Sequence, residues 1–369
     1  MAFKIVPYTD EHVAAVREFN RRLREGGVAF AMPELPVPDW LPMLADRRIF
    51  QEYYVLLEDT VVRGGYVLKH QDFFLSGEVL SIADYRMPIS EGVVDKAYNL
   101  VGVQLLTDAL KRQPVMYGLG MGGFDQPIAK MLKAMGWTMF AVPFFFWVNH
   151  PFRFLRNIVA LRKSAMRRFL LDLLAVSGLG WLGIKLLHWF RREKWHESWA
   201  WETLPQFGSW ADELWEACKN QHPLAAVRDA ATLNILYPPE KKEFIKLKVS
   251  SGDRVVGWAV LLNTPMIGHK QFGNMRVGTV VDCLALSNHK PKVVFAAVEC
   301  LTAASADIVI TNQSDQNWCA AFRRTGFLSG PSNFIFAASK KLAAHLQPFD
   351  EKKNSIHMTR GDGDGPIHL

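Results

Sequence analysis

The segment running from Asp125-Gln126 to Gly136-Trp137 returns 190 residues later, from Asp315-Gln316 to Gly326-Phe327. In each copy an apolar-periodic stretch of helical spacing lies between the two markers. The glycine suits a helix C-terminus, where a left-handed residue ends the last turn. A strand-like run precedes each copy, VMYGLGMG or DIVITNQ, and an aromatic strand follows, FAVPFFFWV or NFIFAAS. Other markers recur in the same order. Asp59 to Leu68 and Asp253 to Leu261 each place a turn before an apolar run and read as hairpins entering a buried strand. GEVLSIADYRMP then VDKAYNLVGVQLLTDALKR parallels GTVVDCLAL then PKVVFAAVECLTAAS, a strand and a longer helix each time. A chain patterned this way is a duplication, an α/β unit of about 140 residues present twice.

With 369 residues and 49% hydrophobic content the chain can bury two cores. The opening MAFKIVPYTDEHVAAVREF lacks the charged-then-apolar profile of a secretion signal and reads as a short strand followed by an amphipathic helix. Cys218, Cys283, Cys300 and Cys319 form no CxxC pair and have no His-rich partner segment. Neither a disulfide framework nor a zinc site is indicated, and a reducing cytoplasm fits. The expected division is residues 1–150 as one α/β domain, 151–206 as a basic, aromatic, helical linker, 207–345 as the second α/β domain and 346–369 as a tail. That tail, with EKKNS and GDGDG, is too poor in apolar residues to pack and is expected to be disordered.

The charge is localised. Between Pro151 and Lys194 ten Lys/Arg stand against Asp172 and Glu193, a net +8 in a chain whose total is +7. The longest uncharged stretch there, Leu173 to Ile184, is 12 residues, whereas spanning a bilayer needs roughly 17 or more. Two readings remain for residues 151–201, which end with Trp195, Trp199 and Trp201. They are linker helices with basic faces in water, or a peripheral contact with the inner face of a membrane through apolar and tryptophan faces flanked by Arg and Lys. Arg with Trp also suits RNA, but no recognised RNA-binding module accompanies them, and nucleic acid is the minor reading.

Strand, helix, strand, then a helix closing in Gly-aromatic before a last strand resembles the GNAT acyltransferase superfamily, and the duplication resembles tandem-GNAT proteins. VVDCLAL, the helix after Pro291 and DQNWCAAFRRTGF carry the likeness in the second half; SIADYRMP, the helix around YNLVGVQLL and DQPIAKMLKAMGW carry it in the first. The resemblance implies two mixed-sheet α/β domains, acetyl-CoA as co-substrate, and transfer of an acetyl or other acyl group to an amine or hydroxyl. The basic aromatic segment, rather than the resemblance, suggests the acceptor: a small molecule, or a sugar or amine on a cell-envelope precursor. The resemblance also leaves open a non-catalytic binding protein of the same fold, and an aminoacyl transferase like the FemAB proteins, which use aminoacyl-tRNA. The family's pyrophosphate loop, Gln/Arg-x-x-Gly-x-Gly/Ala, survives only as Ala97-Tyr-Asn-Leu100-Val-Gly102, and the corresponding turn, Ser287 to Lys292, has no glycine.

A helix N-terminus can still hold phosphate through its unpaired amides and positive dipole. The donor-binding candidates are therefore Ser90, Gly92, Asn99 and Gly102 in the first half and Lys290 and Lys292 in the second; the alternative is ordinary strand-to-helix turns with solvated charges. Asp84 and Asp282 lie in apolar strands, where desolvation would raise a carboxylate toward the pKa of a useful base, or where each is a buried structural acceptor. The last-helix tyrosine that often serves the family as acid is replaced by Leu132 and Phe322, leaving Tyr98, Tyr117 and Ser314 as substitutes by neighbourhood. Asp125 and Asp315 read as helix N-caps or as neighbours of the pantetheine arm. GLGMGG, Gly118 to Gly123, fits G-x-G-x-x-G but follows several strands and helices, and an acidic residue is missing about 20 residues on, so a dinucleotide site is not expected. Gly120, Gly122 and Gly123 instead let the backbone splay and approach a ligand at the strand's end, where the superfamily places its thioester.

Overall fold

The computed structural model describes residues 3–45, 47–191 and 199–363; Trp195 and the last six residues lie outside these. The strands of the first half are β1 (Phe3–Pro7), β2 (Phe50–Glu58), β3 (Val61–Leu75), β4 (Glu78–Ser90), β5 (Met116–Gly120), β6 (Thr138–Ala141) and β7 (Phe144–Val148). Those of the second are β8 (Ala200–Leu204), β9 (Leu224–Ala226), β10 (Ile245–Ser251), β11 (Arg254–Pro265), β12 (Arg276–Ala285), β13 (Ile308–Asn312), β14 (Leu328–Gly330) and β15 (Ile335–Ala338). The helices begin with α1 (Val13–Glu25), α2 (Val101–Arg112), α3 (Pro127–Ala134), α4 (Pro151–Asn157), α5 (Ala165–Val176) and α6 (Leu179–Arg191). They continue with α7 (Trp210–Cys218), α8 (Ala230–Leu236), α9 (Lys290–Ala303), α10 (Gln316–Arg324) and α11 (Lys340–His345).

The chain forms two compact units. The first comprises Met1–Ala141 and Asn333–Asp350, the second Val142–Ser332 and Glu351–Leu369. In the first unit the sheet runs β1-β2-β3-β4-β5-β15-β6. Every pair is antiparallel except β4 with β5. The β2–β3 hairpin turns at Asp59, which adopts a left-handed φ of 54°. α1 buries Val16, Phe19 and Leu23, spaced three and four apart, beside Val55, Val62 and Ile89 of the sheet. The other face is covered by α2, whose Val101, Leu105, Leu106 and Ala109 pack on Leu56, Tyr66, Leu68 and Tyr85.

The second unit repeats this plan as β14-β7-β13-β12-β11-β10-β8, with β12 and β13 parallel. α9 is nearly all apolar, and its Val293, Ala296, Ala297 and Leu301 join Val256, Ala259, Leu261 and Val280 in one core. The repeated glycines behave alike. Gly136 (φ 80°) and Gly326 (φ 97°) end α3 and α10, and in each the next aromatic amide reaches back to the helix, Trp137 N to Leu132 O and Phe327 N to Phe322 O, both 3.0 Å.

Three sequence expectations are corrected. The aromatic run after the first repeat is two strands, broken at Val142-Pro143 because proline can donate no ladder bond. Of the two, β6 stays in the first sheet and β7 joins the second, antiparallel to β13 and β14. Reciprocally, β15 lies between β5 and β6 of the first sheet. The halves have exchanged their last strands, so the boundary at residue 150 does not divide the molecule. Residues 151–206 are likewise grouped with the second unit, where β8 is its edge strand against β10. The tail is ordered through Gly363: Ile356, His357, Met358 and Thr359 are fully buried. Its few apolar side chains are joined by polar ones that find partners inside.

Candidate functional site

Along the main strand order of each sheet one pair among the described residues is parallel, and the two strands of that pair part company before they end. In the first unit β4 and β5 are paired only at Ala83–Met116 and Asp84–Tyr117. Beyond that point β4 bulges: Val67 faces Arg86 and Gly65 faces Ile89, so Met87 and Pro88 both stand opposite Tyr66. Met87 takes a left-handed φ of 46°, and Pro88 has no N–H to offer. Among the described residues of this unit no strand pairs with Tyr85 to Ser90 on the side facing β5.

Because β4 and β5 are parallel, the turns that follow them lie at the same edge of the sheet and flank the opening. After β4, the Ser90 hydroxyl accepts from Gly92 N at 3.0 Å, and a Cβ on Gly92 would meet the Tyr98 carbonyl at 2.6 Å. Asn99 is exposed, and α2 starts at Val101 with no side chain capping its first amides. A Cβ on Gly102 would touch only the Met131 sulfur at 3.6 Å, so nothing in the unit demands glycine there. After β5, Gly120 (φ 102°), Met121 (63°), Gly122 (77°) and Gly123 (124°) are all left-handed, a path that only a glycine-rich stretch follows without strain. The GLGMGG stretch therefore serves to turn the chain at the mouth of the opening.

Asp84 stands at the inner end of this opening, buried at the last β4–β5 pair. It faces Lys69 across the β3–β4 ladder, and Arg86 Nε lies 3.8 Å from its carboxylate. Arg86 also donates to Gln51 Oε1 at 2.9 Å, and both cations lie over the ring of Trp40, at 5.6 Å for Lys69 Nζ and 5.5 Å for Arg86 Cζ. Lys69, Arg86, Gln51 and Trp40 escape a sequence reading because cross-strand register brings them to Asp84; the alternating polar positions of KHQD and DYRM are the trace they leave. Tyr98 is not brought to Asp84. Its hydroxyl donates to Glu58 Oε2 at 3.1 Å and its ring lies beneath Arg63, at the β2–β3 hairpin. Burial and that carboxylate raise its pKa. Glu91 would oppose a phosphate in isolation, but Arg22 (2.7 Å) and Arg63 (3.0 Å) hold it.

Asp125 is exposed and does not cap α3, whose N-cap is Gln126 with no side-chain bond to the first turn; its equivalent Asp315 does cap α10, accepting from Trp318 N at 2.9 Å. The second opening also differs. β12 and β13 pair from Val277–Ile308 to Thr279–Ile310 and then diverge, but here the chain's own tail lies between them. His357 Nε2 is 3.1 Å from the Cys283 carbonyl on β12, while Ser314 N, just past β13, donates to Met358 O at 3.2 Å. Thr359 bridges to Gln313, and its hydroxyl donates to Asp282 at 3.1 Å.

Asp282 is consumed by the same arrangement. Arg228, fully buried, donates Nε to Asp282 (3.1 Å), Nη2 to Asp362 (2.9 Å) and Nη1 to the Ala226 carbonyl (2.9 Å). Tyr237 adds its hydroxyl to Asp282 at 3.1 Å. Burial pushes the Asp282 pKa up, partly countered by Arg228. Lys290 and Lys292 are not offered to a ligand at the start of α9. Both are buried, with Lys290 Nζ donating to Gln221 (2.9 Å) and Lys292 Nζ to Ser251 (3.1 Å), and Pro291 removes an amide from the first turn. The lysine signal is thus corrected: these stems fill a core and their heads satisfy local acceptors.

The fold as a whole has counterparts among solved structures. A probable N-acyltransferase of Enterococcus faecalis V583, described as a conserved protein of unknown function, is 10% identical over 94% of this chain and 75% of its own, with a TM-score of 0.51. Yeast (Saccharomyces cerevisiae) N-myristoyltransferase, solved with bound myristoyl-CoA, is 10% identical over 91% and 78%, also at 0.51. A GCN5-related N-acetyltransferase from Anabaena variabilis is 11% identical over 91% and 72%, again at 0.51. The fold is a tandem GNAT fold. No protein-family model matches the sequence, and no curated protein matches it. Among the described residues no group of three or more His, Cys, Asp or Glu converges in a way that could hold a metal ion.

Proposed function

We propose that this chain is an acyl-CoA-dependent acyltransferase that takes its donor into the opening between β4 and β5 of the first unit. The observation that carries the reading is the contrast between the two openings. The second is closed by backbone and side-chain bonds from Ile356 to Asp362, whereas among the described residues of the first unit no strand pairs with β4 beyond Asp84 on the side facing β5. In the first, the free amides of α2 suit the donor's phosphates, and the glycine turn after β5 allows a pantetheine arm to approach backbone. Asp84 would take the proton from an amine or hydroxyl as the new C–N or C–O bond forms and the thioester C–S bond breaks, the released thiolate being protonated by solvent or by a group of the acceptor.

Acetyl-CoA is the first donor to try, and the myristoyl-CoA of the yeast structure extends the series to longer chains. The acceptor we favour is an amine or hydroxyl on an envelope sugar precursor. Calorimetric titration with acetyl-, octanoyl- and myristoyl-CoA should give one site per chain for at least one donor, lost in Gly102→Glu, which sets a carboxylate against the phosphates. No binding at millimolar concentration, or two sites per chain, refutes the proposal. The first of those results would favour a non-catalytic binding protein or an aminoacyl transferase, readings supported by the loss of the usual pyrophosphate loop.

A further inference from the structure

The helical segment of the second unit has two faces that do not match. Toward the sheet, Phe154, Leu155 and Ile158 around α4, with Leu171, Ala175 and Ile184 of the α5–α6 pair, pack with Val277, Ile308 and Ile310. α5 and α6 meet at an angle of 78° across Ser177-Gly178, and Gly178 (φ 75°) makes that bend. Their approach is close. A Cβ on Gly180 would lie 2.4 Å from Leu155 and 2.8 Å from the Leu174 carbonyl. Arg162 holds Asp172 of α5 at 2.7 and 2.9 Å, and His188 of α6 stacks on Trp147 at 3.7 Å. The hairpin is therefore fixed to the unit.

Away from the sheet it presents large apolar side chains to solvent: Phe169 (65% exposed), Leu173, Val176, Leu179, Trp181 (52%) and Trp189. A fixed surface of this kind is far more apolar than a soluble helix needs, and it marks an interaction site. Its rim decides the occupant. Lys163, Arg167, Arg168 and Lys185 are exposed around it, while Asp172, the acidic residue among the described residues of this segment, is taken up by Arg162 and lies 3.4 Å from Arg156. An apolar face bearing tryptophans and ringed by cations matches the interfacial layer of an anionic bilayer, where apolar groups enter the acyl boundary and Lys/Arg meet lipid phosphates. Neither helix can span. At 12 and 13 residues each is about 18–20 Å long, against about 30 Å of hydrocarbon.

We infer that the α5–α6 hairpin is a monotopic membrane anchor that seats the protein on anionic lipid. This does not depend on the catalytic reading. The test is co-sedimentation of the full chain with phosphatidylcholine vesicles, with and without about 30 mol % phosphatidylglycerol, alongside tryptophan emission. Binding to the anionic vesicles should be at least about tenfold stronger, should weaken with salt, and should blue-shift the emission. Phe169→Glu with Leu173→Glu, both on exposed positions, should abolish it while leaving circular dichroism and acyl-CoA titration unchanged. Absence of binding to anionic vesicles overturns the inference, as does equal binding to neutral ones. A dimer in sedimentation velocity that disappears in the double variant would assign the face to a second copy instead, and would also overturn it.

Discussion

Asp362→Ala isolates the claim that the tail is an integral part of the second unit. The carboxylate accepts from Arg228 Nη2 at 2.9 and 3.0 Å and from Thr359 N at 2.7 Å, and it is buried along with both partners. Its removal leaves a guanidinium in the interior with one carboxylate instead of two, and frees the turn that presents Thr359 to Asp282. Breaking one partner of a buried ion pair costs about 3–5 kcal/mol; because Asp282 still holds Nε, the lower end, about 3 kcal/mol, is expected. Against a stability of about 5–15 kcal/mol this is a large fraction. The assay is equilibrium urea unfolding followed by tryptophan fluorescence. Ten of the twelve tryptophans belong to the second unit, so the signal reports the unit in question. Limited proteolysis should at the same time begin to cut after Lys352 or Lys353. A loss under about 1 kcal/mol with the tail still protected would show that Arg228 does not depend on Asp362, and would refute the reasoning.

The same region should sense pH. Burial, then Arg228, His222 and Lys290, hold the His357 pKa well below its usual 6.5. The unfolded chain takes up a proton near pH 6.5 that the folded chain refuses, so this contribution to stability is intact above that pH and is lost as pH falls below it. Asp282, with its pKa raised above the usual 3.8, acts in the opposite sense as pH falls through that raised value, so the His357 part is isolated by comparing variants. The urea midpoint should therefore fall between pH 7.5 and 5.5, and His357→Gln should flatten that change; an unchanged slope would show His357 to be uninvolved. Asp84→Asn should lower thiol release from acyl-CoA with amine acceptors by about 10²–10⁴-fold while donor affinity, read calorimetrically, stays the same. Equal turnover in the variant would remove Asp84 from the chemistry. Residues 1–150 expressed alone should fail to give dispersed amide NMR signals, whereas the same fragment carrying residues 333–350 on a flexible linker should fold, because β15 supplies the pairing between β5 and β6. A folded 1–150 fragment would mean that the exchanged strand is dispensable.

Local patterns carried most of the fold. The hairpins at Asp59 and Asp253, the glycine caps at Gly136 and Gly326 and the apolar stripe of α1 depend on neighbours within a few residues, and these were legible in order. What the pattern could not carry is which sheet a strand joins. β7 and β15 are both short apolar runs without a local mark of the sheet they enter, and the pairing across the chain, not the pattern, shows the exchange. The site shows the same division. The glycines of 120–123 announce a backbone path, and the structure needs them for it. Asp84 and Asp282 look equivalent as single carboxylates in apolar strands, but their neighbours arrive from Lys69 and Arg86 in one case and from Arg228 and Asp362 in the other. A duplicated fold with two splayed parallel pairs has thus been made asymmetric by a short segment far along the chain. Because Thr359, Arg228 and Asp362 satisfy one another only when that segment lies between β12 and β13, closure of the second opening is coupled to the folding of its unit. On the proposed reading, that coupling assigns the donor to the β4–β5 opening of the first unit.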